Sequence, residues 1–452
     1  MLTRRCRFER RGGGGRGWQS VFGIVLLLLS CGVGWCHAIE ARVVFDARTG
    51  PTFYDTHDVF AYVPKYPQEC TLPSCLNWNR TACAVPSPRV HVYSSPDTKL
   101  APGIYADFLQ ALFNLNRTTP HPEHACLFVP GFDTTLVNGI SYHPIALHRL
   151  PYWHNNTGGD ARLAGNHHVV LLHTDLRLDN AERMWEAAAA AEEETLASST
   201  LLGAAMVISA GSLVQPQLRL GYDLAIPLTP LHLAFPSTLS ATKDRQMFLS
   251  FRGQRYPFVA KVRNFLGCLH RPADGVYMFV TCTRKSAAKA ELLWRYDAYA
   301  CQTQERLATT HPFAQWNTSM FFSQSVFSLV PRGYSLETYR LVEAMTHGSI
   351  PVVLSDVTAA LFAPETDDSI CALHVPERLV TTKDGFAHLL QRLRRMTSAE
   401  ITMRRAACRQ LVATWYSLSE QRHQATLSRV GLFEYVWSML LDRRIAKSLV
   451  PK

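Results

Sequence analysis

Short apolar runs alternate with helix-forming stretches along most of this chain, and that alternation constrains the fold more than any other feature. RVHVY (89–93) reads as a strand and IYADFLQALFNL (104–115) as an amphipathic helix. ACLFVPGF (125–132), HVVLLH (168–173), AAMVISA (204–210) and YDLAIPL (222–228) read as further strands. NAERMWEAAAAAEEETL (180–196) lies among them, rich in good helix formers. A second set begins with the strand QMFLSFRG (246–253) and a helix within 256–269. VYMFVTC (276–282), SVFSLVP (325–331) and IPVVLS (350–355) are strands. SLETYRLVEAMTHG (335–348) is a helix closed by Gly348, and 397–442 reads as wholly helical. Strands alternating with helices build parallel sheets. Two such sets, with a break near 230–245, predict two doubly wound α/β domains with a ligand crevice at the carboxyl ends of the strands.

The 452 residues carry a net charge of +10. Half of that excess sits in residues 1–19, which hold six Arg and one Glu. The remainder is diffuse, so nucleic acid is not an expected partner. Residues 17–38 contain no Asp, Glu, Lys or Arg, and the apolar stretch is just long enough to span a bilayer. The basic flank orients it with the body in the lumen. A type II anchor is expected, and a cleaved signal peptide ending near Ala38 is the alternative. Sequons at Asn79, Asn116, Asn155 and Asn317 agree with a lumenal body. So do nine cysteines beyond the anchor, at 70, 75, 83, 126, 268, 282, 301, 371 and 408, which read as disulfide formers in an oxidising compartment. Cys126 is the nearest partner for one of the 70/75/83 cluster.

The expected organisation is a basic tail (1–19), an anchor helix (20–38) and a stapled stem (39–90). An N-terminal, acceptor-side domain (91–240), a nucleotide-sugar domain (241–396) and C-terminal helices (397–452) follow. GGGGRG (12–17) satisfies G-x-G-x-x-G, but no strand precedes it. P-loop, zincin and G-x-S-x-G motifs are absent, and so is Asp-x-Asp. Without that carboxylate pair, a diphosphate would be neutralised by Arg side chains and helix N-termini. The segment VPRGYSLETYRLVEAM (330–345) offers this chemistry. Gly333 lets a phosphate approach the backbone. Arg340 and Glu343 share a helix face, the Arg suited to phosphate and the Glu to ribose hydroxyls. A surface ion pair is the plainer reading of that spacing. His167-His168 reads as a strand start rather than a metal site, and Asp356 as a helix cap.

VPRG…R-x-x-E-A followed by IPVVLSD resembles the exostosin glycosyltransferases. FLSFRGQRY (248–256) with Arg263-Asn264, ACLFVPGFD (125–133), Asn166-His167, His173-Thr-Asp175 and YDLAIP (222–227) resemble further segments of that family, in the same order. The Cys70, Cys75 and Cys83 pattern and HVYSSP resemble the animal heparan-sulfate exostosins. The resemblance covers about 65–430. It implies a GT-B-like fold, two Rossmann-like domains facing a cleft. It implies inverting transfer from a UDP-sugar to a glycan in the Golgi, with no metal and no other cofactor. Arg340 would meet the diphosphate and Glu343 the ribose, with Arg255, Arg263, Arg332, Gly333 and Thr338 around them. Thr338 stands where the family often has Ser, and Glu337 where Gly is common. The general base would come from Asp133 first, then His173 or Asp175, each of which could instead be a turn cap or a surface residue. The chain stops at 452, so one transferase module is expected, moving one sugar, glucuronic acid by the same resemblance. Homo- or heterodimerisation with another exostosin-type transferase is compatible with this. The alternative is a non-catalytic subunit that stabilises or retains another transferase.

Overall fold

A computed structural model describes residues 45–46, 50–51, 71–76, 85–94, 103–135, 149–154, 164–173, 204–210, 221–229, 240–254, 261–281, 310–333, 338–355, 365–416 and 428–445, with a few isolated positions besides. Contacts divide the chain into Met1–Val63 and Pro64–Lys452. In the first unit Phe45–Asp46 (β1) pairs antiparallel with Gly50–Pro51 (β2). The expected tail and anchor (1–38) and the helix at 180–196 lie outside the described residues. Among those described, no helix is long and apolar enough to cross a membrane.

The second unit holds two sets of parallel strands. In the first, Val90–Val92 (β3) pairs with Leu127–Val129 (β4), and a bridge from Phe128 to His168 leads to Val169–His173 (β5). Met206–Ala210 (β6) and Leu224–Ile226 (β7) complete it. β4, β6 and β7 are buried throughout, as expected of parallel strands covered on both faces. The described strands of this half lie side by side in chain order, β3-β4-β5-β6-β7.

The second sheet is doubly wound. Its strands are Met247–Gln254 (β8), Val276–Thr281 (β9), Ser325–Pro331 (β10), Ile350–Leu354 (β11) and Leu373–Val375 (β12), in the order β12-β11-β10-β8-β9. Every pairing is parallel. The winding reverses between β8 and β10. That switch point is where open α/β sheets leave a crevice beyond the strand ends.

Helices follow the apolar spacing. After a four-residue turn at Leu72–Cys75 (α1) comes Ile104–Asn114 (α2), which buries Tyr105, Phe108, Leu109, Ala111 and Leu112. Lys261–Leu266 (α3), Thr318–Ser323 (α4), Arg340–Thr346 (α5), Arg378–Thr381 (α6) and Lys383–Arg394 (α7) flank the second sheet. The C-terminal stretch is two helices rather than one. Ser398–Trp415 (α8) starts on Thr397, whose hydroxyl accepts from Glu400 N–H, and it ends at Tyr416. Arg429–Ser438 (α9) starts after Ser428, which is extended (φ −105°, ψ 130°), and a π-helical turn continues it over Met439–Ile445. Gly431 sets the approach of α9 to α8, since a Cβ there would collide with the Tyr416 carbonyl oxygen. Phe433 and Trp437 of α9 pack on Phe108 of α2, and the Trp437 indole N–H donates to the Phe108 carbonyl at 3.1 Å. The last helices therefore do not stand apart as a separate layer.

Two disulfides join distant segments, Cys83–Cys126 and Cys371–Cys408. Cys75 is also disulfide-bonded. His167 lies beside Cys83 and Cys126, at metal-ligand spacing. Both thiols are consumed by the Cys83–Cys126 bond, so they offer no thiolates.

Candidate functional site at the switch point

The ends of β8 and β10 flank the reversal in the second sheet. β10 is seven buried residues that end in Pro331, and the chain then turns through Arg332 and the buried Gly333. Arg263, on α3, lies across the gap with only 3% exposure. Its Nε donates to the Arg332 carbonyl at 2.8 Å, and its Nη1 to the Gln254 carbonyl at 3.0 Å. Nη2 reaches the Pro331 carbonyl at 3.1 Å and the Thr338 hydroxyl at 3.4 Å. One guanidinium thus fixes the end of β8, the end of β10 and the start of α5. A planar fork of five donors suits this task, and a single ammonium does not.

Thr338 opens α5. Its carbonyl accepts from Leu341 N–H at 3.1 Å and its hydroxyl from Arg340 N–H at 3.4 Å. The first turn of α5 then carries Arg340 and Glu343 on one face, ion-paired through Nη1 and Oε2. Their side chains keep 24% and 11% exposure. The Arg340 guanidinium lies 5.9 Å from the Phe322 ring centre. Arg252, on β8, donates to the Trp316 carbonyl. Burial first, and Arg340 second, hold the Arg252 guanidinium below its ordinary range. Arg332 pairs with Glu377 at 2.6 Å, both side chains about one-eighth exposed. Arg252, Arg263, Arg332 and Arg340 therefore gather around the β8 and β10 ends, with two carboxylates among them.

Of the residues expected at the site, Arg263, Arg332, Gly333, Thr338, Arg340 and Glu343 come together. Arg255, Glu337, Asp356 and Asp175 lie outside the described residues. Asp133 follows β4, half-buried, and its Oδ1 accepts from the Thr135 N–H at 2.7 Å and hydroxyl at 2.6 Å. His173 is the last residue of β5. Both stand at the carboxyl ends of their strands, where an acceptor-side group is expected. Arg252 and Glu377 escaped the sequence reading. A charge inside an apolar strand, FLSFRG, was the signal for the first. A carboxylate just past the end of β12 was the signal for the second.

The family model for the Exostosin GT47 domain matches residues 58–393. The chain belongs to this exostosin family. Exostosin-1 of Drosophila melanogaster is 29% identical over 334 residues, covering 69% of this chain and 39% of the fly protein. The Exostosin-1 homolog of Caenorhabditis elegans is 24% identical over 342 residues, covering 69% of this chain and 77% of the worm protein. The chain thus spans well under half of the fly relative. An α,α-trehalose-phosphate synthase (UDP-forming) from Burkholderia vietnamiensis is similar at a TM-score of 0.33 and 11% identity, over 85% of each chain, too slight a likeness to weigh. The matched span takes in both sheets and the switch-point arginines.

Proposed function

We propose that this exostosin-family chain transfers one sugar, with inversion, from a UDP-sugar to a glycan or glycoprotein acceptor. The observation that carries the reading is the set of arginines gathered at the sheet reversal around buried Gly333. A nucleoside diphosphate brings negative charge and needs donors that reach it without crowding. Arg340 meets the diphosphate, Glu343 turns to the ribose hydroxyls, and Arg332 and Thr338 line the turn. We assign Arg263 a positioning role, because three carbonyls and the Thr338 hydroxyl take four of its five N–H donors. The countercharge comes from guanidinium groups, so no metal is invoked. We further infer a GT-B-like pairing of two Rossmann-like halves, with the first sheet presenting the acceptor.

Inversion takes one displacement and one general base. Asp133 is our first choice, held by Thr135, with His173 and Asp175 after it. Glucuronic acid is the proposed sugar, from the resemblance to animal heparan-sulfate exostosins. The setting is the Golgi lumen, behind an N-terminal type II anchor. Disulfides and exposed sequon residues Asn116 and Asn317 support that setting. Pairing with another exostosin-type transferase fits the same reading.

One observation favours a non-catalytic subunit instead. Arg332 and Arg340 are each already ion-paired within the site. Thermal shift with UDP in EDTA separates the two. A native-state ligand at 100 times its Kd adds about 2.7 kcal/mol. A rise in wild-type Tm that Arg340→Ala and Glu343→Ala both lose supports the donor site. A folded wild type with no rise points to the subunit.

A further inference from the structure

A second cluster of arginines lies at the opposite end of α5. Arg245, just before β8, and Arg405, on α8, keep 8% and 7% exposure. Arg245 donates to the carbonyls of Phe322, Ser325 and His347. Arg405 donates to the carbonyls of Gly348 and Ser240 and to the Thr242 hydroxyl. These acceptors are dipoles, and among the described residues neither arginine has a carboxylate partner. The Nε of Arg245 is buried with no acceptor. Among the described residues, the acids on the adjoining elements do not answer this charge: Glu400 pairs with Arg404, and Asp244 is exposed. Burial and the neighbouring Arg405 push Arg245 down to about 9. Burial also lowers Arg405 and Arg409. His347, 2% exposed, is held below its ordinary value by burial and by Arg245 and Arg409. Buried positive charge without a countercharge is costly.

A cavity of about 520 Å³ opens beside this cluster, between the 240–241 segment and α8. Arg405 and Arg409 line it from one helix face, four residues apart, with Thr402, Gln410 and Ser240 supplying hydroxyl and amide groups. A volume in this range holds a small ligand. One guanidinium fork fills a carboxylate, whereas two neighbouring guanidinium groups suit a tetrahedral group with more oxygens. We propose that this groove binds a phosphate or sulfate group borne on a small polyhydroxylated molecule, with Arg405 and Arg409 on the oxyanion and Thr402 and Gln410 on the carrier. It is separate from the switch-point site, which lies at the other end of α5.

The test is thermal shift of the full chain at fixed ionic strength. The probes are inorganic phosphate, inorganic sulfate, glucose 6-phosphate and glucose. Phosphate and sulfate stabilise proteins generally, so the readout is the difference from variants. Arg409→Gln removes one fork and leaves the Arg405 bonds intact. Thr402→Glu puts a carboxylate in the first turns of α8 and repels an anion. The expected result is a wild-type rise with at least one tetrahedral anion, with apparent affinity at least about tenfold weaker in both variants. Glucose 6-phosphate outdoing inorganic phosphate identifies the carrier; the reverse identifies the free ion and overturns the carrier half of the proposal. Equal rises in wild type and variants, or no rise at all, overturn the site. A UDP shift retained in Arg409→Gln shows the variant is folded, and its loss in wild type bears only on the donor reading.

Discussion

Arg263 is held by three carbonyls and a hydroxyl, and its partners at 331 and 332 sit 68 and 69 residues along the chain. Lysine would keep the charge but could not meet the ends of β8, β10 and α5 together. Arg263→Lys is therefore expected to lower stability by about 2–4 kcal/mol, since carbonyls are left buried and unpaired. Urea midpoints measure this, and a change under about 0.5 kcal/mol, the size of an ordinary surface substitution, contradicts the brace. The sequence showed an arginine on a helix near an apolar strand. It did not show that carbonyls would claim the side chain, because the β10 turn is remote in the chain. Arg340 and Glu343 were legible, since three-residue spacing on a helix puts both on one face whatever the tertiary context.

At the scale of elements, most strands were readable because large apolar residues dominate them, even where a serine or an arginine interrupts. β12 was not, with only Leu373, His374 and Val375, and neither was the six-residue α4. Short elements take their shape from neighbours more than from their own pattern. The C-terminal break was hidden for a similar reason: Ser428 turns extended just before a new helix, and nothing in composition separates that serine from a helical one. The α9–α2 contact is the strongest testable packing. Trp437 is fully buried, stacks 4.8 Å from Phe108 and donates to its carbonyl. Trp437→Ala is expected to cost about 3–5 kcal/mol. Trp437→Phe should cost much less, losing chiefly the hydrogen bond. Equal losses in the two variants would show that the indole N–H, and not packing, holds the helices together.

For the whole molecule, two effects act through the unfolded chain, in opposite directions. The disulfides restrict the unfolded chain. Cys371–Cys408 closes a separation of 37 residues and Cys83–Cys126 one of 43. On loop entropy each contributes about 4 kcal/mol. A Cys371→Ser/Cys408→Ser double variant should lower the denaturant midpoint accordingly, and reductant should then have less left to remove.

Protons favour the unfolded chain, because the folded one holds buried histidines neutral. His270, His311 and His347 are all held below the ordinary 6.5 of histidine, burial being the largest cause in each. The unfolded chain therefore binds more protons than the folded one between that value and the lowered ones. Stability rises with pH across this window and is lost as pH falls through it. Urea midpoints at pH 7.5 and 5.5 should differ, with the acid sample weaker. His347 donates Nδ1–H to the Glu343 carbonyl at 2.8 Å, linking the end of α5 to the residue proposed to hold ribose. His347→Asn can offer an amide donor there but cannot titrate. Its midpoint should fall less between the two pH values than that of the wild type. An unchanged slope would assign the acid sensitivity to the His270–His311 pair, whose rings lie 5.9 Å apart on the other side of the second sheet's switch point, by β9.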